Sequence, residues 1–375
     1  MGADRRVLIV GGGVAGLALG RALARGGMDA EIVERAPTWS PAGAGIYIPA
    51  NGMRALRQLG LAEPLIARGR VNTRRRYLTA DGATSFEIDL VDFWDTTGPC
   101  LGVARAALHE VLVAGAEGEP IRLGTTVDTL KEDTDGVSVV FSDASTERYD
   151  LVVGADGIHS WTRDLLTGQE AVVRADLAGA SWRFVVTCPD SVDCWTLLAG
   201  PAAMMLLVPI GQGRAYCFAA LGSRRRASRP PEFAQLRDVF RQFADPVPQV
   251  IGQLDAVDRP YFSPLEELRE PVWGHGRTVL IGDAAHGMSP AMAQGAALAV
   301  EDALVLAGLL RADHDWTAVA RRLAALRGRR VSWVMTHTRR QARMITLPYP
   351  LRRRVLRLVG EKLWRRSFAP LREPA

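Results

Sequence analysis

A glycine-rich turn near the start of the chain constrains the fold more than any other feature of the sequence. An apolar run at 7–10 leads into a turn with four glycines, which are Gly11, Gly12, Gly13 and Gly16. A helix rich in small residues follows, and then a second apolar run that ends at Glu34. This order and spacing predict the βαβ start of a Rossmann-like, dinucleotide-binding sheet.

Each glycine of this turn has its own physical role. Gly11 permits the tight turn, Gly13 lets a pyrophosphate approach the backbone, and Gly16 lets the helix pack against the strand. The first-turn N–H groups, at Val14 and Ala15, have no partner within the helix and bind an anion together with the helix dipole. We therefore expect phosphate binding here without a lysine.

An acidic residue ends the predicted second strand. Glu34 lies 18 residues after Gly16, where a carboxylate accepts hydrogen bonds from ribose hydroxyls and repels a 2′-phosphate. We expect Glu34 and the adjacent Arg35 to contact NAD or FAD rather than NADP.

The composition is that of an ordinary globular protein, with 48% hydrophobic and 23% charged residues among 375. No signal or transit peptide precedes the first predicted strand, no apolar run has transmembrane length, and the four cysteines form no C-x-x-C pair. We expect a cytoplasmic protein with reduced thiols and no metal site. The net charge of +5 is concentrated at 311–375, where 17 Arg or Lys face 4 Asp or Glu. No nucleic-acid-binding motif accompanies this charge, so we expect no nucleic-acid partner.

Hydrophobic periodicity predicts the later elements of the chain. They are a helix over 53–61, a hairpin over 71–90 with its turn at Asp81-Gly82, a helix over 100–114, a three-stranded meander over 122–149, a mostly antiparallel sheet within 171–261, and one helix within 230–254. The aromatic inner face of the sheet is more typical of a core than of a substrate cage.

Two further loops follow buried strands and carry an acid, Asp156-Gly157 and Gly282-Asp283. An acid at the carboxyl end of a parallel strand lies where ligands bind in open α/β sheets. Gly295-Ala296 begins a long helix, whose N-terminus offers donors to a developing anion. His286 is either a proton carrier or a structural histidine of the turn.

In their order and spacing, the glycine turn with Glu34, the Asp156-Gly157 loop and Gly282-Asp283 resemble the single-component (group A) FAD-dependent monooxygenases with the p-hydroxybenzoate hydroxylase-like fold. The resemblance implies an α/β fold with a Rossmann-like FAD-binding domain, an inserted, mostly antiparallel β-sheet substrate domain and C-terminal helices. The implied boundaries are 1–70, 101–170 and 272–310 for the FAD-binding domain, 71–100 and 171–271 for the substrate-binding domain, and 311–375 for the C-terminal helical segment.

The family pattern implies cofactor contacts for residues spread along the chain. They are Glu34 at the FAD ribose, Arg105 at the pyrophosphate and ribityl region, Val127 at the adenine through its backbone, Asp156 near the pyrophosphate, Asp283 at a ribityl hydroxyl, Pro290 with Gly295-Ala296 along the isoalloxazine, and Gly45 in a glycine-rich loop beside the cofactor. One departure is Ala291-Met292-Ala293, which replaces a sequence richer in glycine.

The implied reaction uses non-covalent FAD, with NAD(P)H as a transient co-substrate. Oxygen activated as a flavin C4a-hydroperoxide would hydroxylate or epoxidise an aromatic or electron-rich small molecule. The protein then supplies orientation and a dry pocket rather than a nucleophile or a metal. Open alternatives are a halogenase, although the Trp-x-Trp-x-Ile-Pro motif is absent, a reductase on the same fold, and a non-enzymatic flavin-binding protein.

Two residues are candidates for contact with the substrate, which we expect between the antiparallel sheet and the flavin. Trp182-Arg183 resembles a pattern of urate- and salicylate-type hydroxylases, in which an arginine orients an anionic ring. Arg183 and Tyr216 are therefore candidate catalytic residues, with a scaffold role as the alternative.

The spacing of apolar residues among many basic ones at 351–368 predicts a basic amphipathic helix. It either lies on an anionic membrane, with Trp364 and Phe368 as anchors, or covers the body of the protein. The narrow apolar stripe favours the second interpretation.

Overall fold

The protein is built from strands gathered in several sheets and from helices that cover them. The computed structural model describes residues 5–39, 44–116, 118–167, 172–174, 180–222, 232–258, 260–312 and 315–375. The strands in these ranges are β1 (Val7–Val10), β2 (Ala30–Glu34), β3 (Gly45–Ile48), β4 (Arg70–Asn72), β5 (Arg74–Thr79), β6 (Thr84–Asp89), β7 (Cys100–Ala104), β8 (Ile121–Leu123), β9 (Val127–Glu132), β10 (Val137–Phe141), β11 (Thr146–Tyr149), β12 (Leu151–Gly154), β13 (Val172–Arg174), β14 (Ala180–Thr187), β15 (Trp195–Ala199), β16 (Ala203–Gly211), β17 (Arg214–Leu221), β18 (Tyr261–Ser263), β19 (Glu266–Leu268), β20 (Gly274–His275) and β21 (Thr278–Leu280). The α-helices are α1 (Val14–Ala24), α2 (Ala50–Gln58), α3 (Ala62–Ile66), α4 (Leu90–Trp94), α5 (Arg105–Gly115), α6 (Trp161–Thr167), α7 (Leu236–Phe240), α8 (Val247–Ile251), α9 (Asp283–His286), α10 (Gly295–Ala312), α11 (Val319–Thr346) and α12 (Tyr349–Phe368).

A six-stranded sheet contains the predicted βαβ start, in the order β20-β21-β12-β1-β2-β8. Its neighbouring strands are parallel, except β20 with β21. Every residue of β1 is buried, which explains why this strand is apolar without alternation. The βαβ prediction is confirmed, and Glu34 is the last residue of β2.

A seven-stranded sheet forms the second layer, in the order β18-β14-β17-β16-β15-β5-β6. Its neighbours are antiparallel except β15 with β5. One face packs on the apolar side of α7 and α8, and the other face looks toward the six-stranded sheet and α12. The mixed α/β fold with an antiparallel sheet and C-terminal helices, expected from the resemblance, is therefore present.

Three predicted elements differ from the structure. Residues 100–104 form β7 rather than the start of a helix, because β3 and β4 pair with this segment and long-range pairing overrides local periodicity. Residues 121–123 join the six-stranded sheet beside β2, so the meander consists of β9, β10 and β11. Two short helices, α7 and α8, lie where one was predicted, and residues 230–231 of that range lie outside the described part.

The C-terminal helix α12 packs against the body of the protein. Its Trp364 is 4% exposed and its Phe368 is 1% exposed, so both proposed membrane anchors lie inside the fold. Gly360 faces Phe86 of β6 so closely that an added Cβ would lie 2.4 Å from the ring. Within the described ranges, no helix is both long and apolar enough to span a membrane.

Candidate active site

A cavity of about 900 Å³ opens between the glycine turn, the seven-stranded sheet and α12. A second cavity of about 180 Å³ lies on the outer side of the glycine turn. The two cavities share Gly13, Val14 and Arg105, so an extended ligand can pass along the turn from one to the other. This shape suits a dinucleotide with a second small molecule at one end.

The glycine turn has the geometry that its sequence predicts. Gly11 adopts a φ of +111°, and an added Cβ at Gly16 would lie 1.9 Å from the Gly11 carbonyl oxygen. At Gly13, by contrast, an added Cβ would meet nothing within 4 Å. The helix α1 has no side-chain cap, so the N–H groups of its first turn are available to an anion.

Glu34 borders the smaller cavity. Its carboxylate accepts hydrogen bonds from the backbone N–H groups of Gly12 and Ala36, each at 2.8 Å. A carboxylate has about four acceptor positions, so two remain for ribose hydroxyls. Arg35 next to it is exposed and does not border either cavity.

The loop after β21 forms another wall of the larger cavity. Asp283 is exposed there, and an added Cβ at Gly295 would lie 3.6 Å from its Oδ1. Pro290, Gly295 and Ala296 also border this cavity. Ala293 adopts the left-handed conformation at φ 54°, a conformation that glycine favours. The loop therefore keeps a glycine-like shape despite the departure noted in its sequence.

His286 does not border the cavity. Its side chain is 0% exposed, and its Nε2 lies 2.5 Å from Oδ2 of the equally buried Asp302. Arg327 Nε donates to the other oxygen of that carboxylate at 2.8 Å. A histidine sealed in this way has no contact with a ligand in the cavity. This position favours a structural role for His286 over that of a proton carrier.

Two expected cofactor contacts lie beside the cavities rather than in their walls. The Asp156 carboxylate accepts hydrogen bonds from Thr162 N and Oγ1, both at 3.0 Å, and so holds the start of α6. Only its backbone adjoins the glycine turn, because an added Cβ at Gly11 would lie 2.9 Å from its Cα. Val127 starts β9 and is buried in the core of the meander.

Arg183 and Tyr216 lie together on the inner face of the seven-stranded sheet, and both border the larger cavity. Arg183 Nη1 donates to Ser263 Oγ at 2.7 Å. Burial raises the pKa of Tyr216 above its usual value, although Arg183 and Arg105 oppose the shift. An added Cβ at Gly45 would lie 2.5 Å from the Tyr216 Cβ, so only glycine fits beside this tyrosine.

Several residues of the site were not predicted from the sequence. Trp39 and His109 border the smaller cavity with their rings 5.0 Å apart. His109 lies one helical turn after Arg105, a spacing that could have indicated it. Arg75 and Trp364 border the larger cavity. Strand alternation places Arg75 on the face of β5 opposite Arg74 and Arg76, but no local signal makes that face the inner one or brings α12 to this cavity.

The residues around the glycine turn fit FAD. The open space at Gly13 and the uncapped start of α1 suit a pyrophosphate, and Glu34 suits a ribose. Asp283 lies at the carboxyl end of the six-stranded sheet, beside the N-terminus of α10. These features leave room and partners for both ends of the cofactor.

Known proteins agree with this fit. Residues 4–341 match a family model described as an FAD binding domain. The aurachin C monooxygenase/isomerase of Stigmatella aurantiaca is 34% identical over 332 residues, which are 87% of this chain and 86% of that protein. The 3-amino-4-hydroxybenzoate 2-monooxygenase PtnB3 of Streptomyces platensis is 32% identical over 375 residues. The aligned part covers 93% of this chain and 91% of that protein.

A solved structure extends the agreement to the fold. The crystal structure of Klebsiella pneumoniae HpxO complexed with FAD and uric acid matches with a TM-score of 0.87 and 26% identity, covering 99% of this chain and 97% of that chain. The match therefore includes both sheets and the C-terminal helices. The chain belongs to the single-component FAD-dependent monooxygenase family with the p-hydroxybenzoate hydroxylase-like fold, and it is an oxidoreductase that uses NAD(P)H and O2 to oxygenate a small molecule.

Proposed function

We propose that this monooxygenase hydroxylates an aromatic or heteroaromatic ring with an acidic group, bound between the seven-stranded sheet and the flavin. The observation that carries the proposal is Arg183, a cation on the inner face of the sheet beside Tyr216. Two of the three proteins named above act on or bind rings with acidic groups, which are 3-amino-4-hydroxybenzoate and uric acid. Hydroxylation is therefore favoured over epoxidation.

Charge supports an anionic ligand. Among the described residues bordering the larger cavity there are four arginines and two carboxylates; they are Arg75, Arg105, Arg183, Arg352, Asp283 and Glu266. Glu266 is engaged by His159 at 3.0 Å. A cavity with excess positive charge raises the local concentration of an anionic substrate.

We assign the cofactor contacts by the family pattern. Glu34 would hold the ribose, Arg105 the pyrophosphate, and Asp283 a ribityl hydroxyl, while the N-terminus of α10 would stabilise negative charge on the ring system. Backbone at Val127 and Asp156 would adjoin the adenine side and the pyrophosphate. When bound and reduced by NAD(P)H, FAD supplies the oxygen-activating chemistry.

The protein's own groups position the substrate. Arg183 would donate N–H groups to the acidic group of the ring. A tyrosine is protonated at neutral pH, and burial raises the pKa of Tyr216 further, so its hydroxyl would donate a hydrogen bond to a ring oxygen. The apolar walls formed by Met204, Leu206 and Phe218 would exclude water from the reacting carbon.

The test measures NAD(P)H oxidation and product formation by the FAD-loaded enzyme with a panel of hydroxybenzoates and hydroxylated purines. We expect at least one compound to accelerate flavin reduction and to gain one oxygen atom. Arg183→Ala should raise KM and uncouple NAD(P)H oxidation from product formation, and Arg183→Lys should recover part of the coupling. Unchanged kinetics in Arg183→Ala would remove the assigned role. A reduced product without added oxygen would indicate a reductase.

We also propose that the six-stranded and seven-stranded sheets define the two domains, with the boundaries 1–70, 101–170 and 272–310 for FAD and 71–100 and 171–271 for substrate. The C-terminal segment 311–375 would close the site rather than bind a membrane or nucleic acid, since Trp364 borders the cavity. A cytoplasmic location is consistent with the use of NAD(P)H and with four free cysteines.

A further inference from the structure

Arg75 is a buried cation that borders the larger cavity. Its side chain is 2% exposed. Among the described residues it forms no ion pair, and its Nε has no hydrogen-bond partner. A guanidinium carries five N–H donors, and a buried arginine without a counter-charge is costly. Its retention at this position therefore needs a physical reason.

The two flanking arginines show how different this environment is. Strand alternation places Arg74 and Arg76 on the opposite face of β5. There Arg74 pairs with Asp193, and Arg76 Nε pairs with Glu87 at 2.8 Å. The two outward arginines thus form ion pairs with carboxylates of the protein, whereas the inward Arg75 faces the cavity.

Aromatic rings surround the Arg75 guanidinium. Its central carbon lies 3.8 Å from the Trp195 ring centroid, and four more rings, of Tyr47, Trp364, Phe368 and Tyr77, lie 5.3–5.8 Å away. Stacking on Trp195 orients the planar group and stabilises its charge through cation–π attraction. It does not satisfy the N–H donors along the edge of the plane.

None of the described ionisable neighbours in this cage supplies a negative charge at neutral pH. Burial raises the pKa of Tyr47 and of Tyr77 above their usual values. Burial likewise raises the pKa of the Cys100 thiol to about 11. No described neighbour in the cage therefore balances Arg75, which leaves this role to a ligand in the cavity.

Arg75 and Arg183 cannot hold the same group of a small substrate. Three strands, β17, β16 and β15, separate their strands in the sheet. At the usual strand spacing, their backbones lie ~19 Å apart. The two cations therefore define two ends of the cavity.

We propose that Arg75 is a second anion-binding residue of this cavity, which holds a planar carboxylate at the end of the substrate remote from Arg183. The inference rests on the proposed function and narrows its substrate class to acids long enough to reach Arg75. Guanidinium and carboxylate match as a bidentate, planar pair, and the stacked Trp195 fixes the plane. The aromatic cage suits an aryl group next to that carboxylate.

The test measures equilibrium binding of probe acids to the FAD-loaded enzyme without NAD(P)H. The change in flavin absorbance reports the binding. The probes are benzoate, 2-naphthoate and biphenyl-4-carboxylate, each compared with its own neutral amide in an Arg183→Met background, which removes the other cation proposed to bind an acidic group. For the probe that reaches Arg75, the Arg183→Met enzyme should bind the acid at least about tenfold more tightly than the amide. Arg75→Met should abolish this preference, because methionine fills the cage without charge. Arg74→Met is the matched control and should keep the preference.

Thermal unfolding separates a structural role from a binding role. Because no described residue gives Arg75 a counter-charge, Arg75→Met should unfold at the same or a higher temperature than wild type. The proposal is overturned if adding Arg75→Met to the Arg183→Met enzyme leaves the preference unchanged, or if the Arg183→Met enzyme prefers no acid over its amide. Since no turnover is measured, this result is independent of whether any compound is hydroxylated.

Discussion

The carboxylate of Asp302 accepts a hydrogen bond from Arg327 Nε at 2.8 Å, and neither side chain is more than 1% exposed. The other carboxylate oxygen accepts from the backbone N–H of Gly282 at 3.1 Å. The pair thus connects α10 and α11 with the loop that presents Asp283. A buried ion pair behind the cofactor loop ties the shape of the site to the stability of the fold.

Replacing Asp302 by asparagine should be strongly destabilising. Removal of one partner leaves a buried charge less compensated, which typically costs about 3–5 kcal/mol; the remaining contact of Arg327 with Glu301 favours the lower value. Urea unfolding of the Asp302→Asn apoprotein measures the loss. Asp255→Asn is the control, because Asp255 is 90% exposed and its pair with Arg237 contributes at most about 1 kcal/mol. Equal effects of the two changes would contradict the assigned importance of the buried pair.

Stability should depend on pH through the same carboxylate. Burial raises the pKa of Asp302, but His286 and Arg327 lower it by more, so the folded-state pKa lies below the usual value. A carboxyl whose pKa is depressed by folding contributes stability above its unfolded pKa of about 4 and loses this contribution as pH falls through the folded pKa. The difference in unfolding free energy between wild type and Asp302→Asn should therefore narrow below about pH 4. A constant difference down to pH 2 would show that Asp302 does not titrate in this way.

Gly13→Ala should weaken FAD binding without weakening the fold. The added methyl group meets no protein atom within 4 Å, but it occupies the approach to the backbone that a pyrophosphate needs. We expect the FAD Kd to rise at least about tenfold, equal to about 1.4 kcal/mol. Gly308→Ala, in α10 and also without neighbours within 4 Å, should leave FAD binding unchanged. If both variants bind FAD like wild type, the assigned path of the pyrophosphate is wrong.

The thiols should be slow to react in the native protein. Cys100, Cys194 and Cys217 are buried, and burial raises the pKa of Cys100 to about 11. Ellman's reagent at pH 8 should modify at most Cys188 quickly, because thiolate and access are both required. In denaturant all four cysteines should react. Rapid reaction of more than one thiol in the native protein would contradict the described packing.

The interior position of Trp364 predicts a large effect of its truncation. Its ring packs 4.8 Å from Phe93 and 4.3 Å from Phe368. Trp364→Ala should cost about 3–5 kcal/mol, whereas Leu358→Ser, at a position 73% exposed, should stay within about 0.5 kcal/mol. Urea unfolding measures both.

Removal of residues 351–375 tests the same helix as a whole. We expect loss of folding or of FAD, because α12 closes one side of the cavity. A truncated protein that stays folded and active, but no longer sediments with anionic vesicles, would instead support the membrane interpretation.

Much of the cofactor site was predictable because it depends on short-range constraints. The glycines from Gly11 to Gly16 and Glu34 act within one βαβ unit, where spacing alone decides which backbone groups face a ligand. Asp283 and Gly295 were predictable for the same reason, because they lie in the loop and helix that follow another parallel strand. The first third of the predicted helix at 100–114 was wrong, because residues 100–104 pair with strands that are distant in the sequence.

The sequence by itself determined the class of fold, the nucleotide-binding turn and the resemblance to FAD-dependent monooxygenases, because these depend on local periodicity and on the special geometry of glycine. Tertiary structure alone decided which way Arg75 points and what α12 covers, and it enclosed His286 with Asp302. The face of a sheet on which a side chain lies depends on strand register and on which face is buried. The surface that an amphipathic helix covers depends on the whole folded protein. The residues proposed to bind the substrate therefore come together only when distant strands and the last helix pack around one cavity.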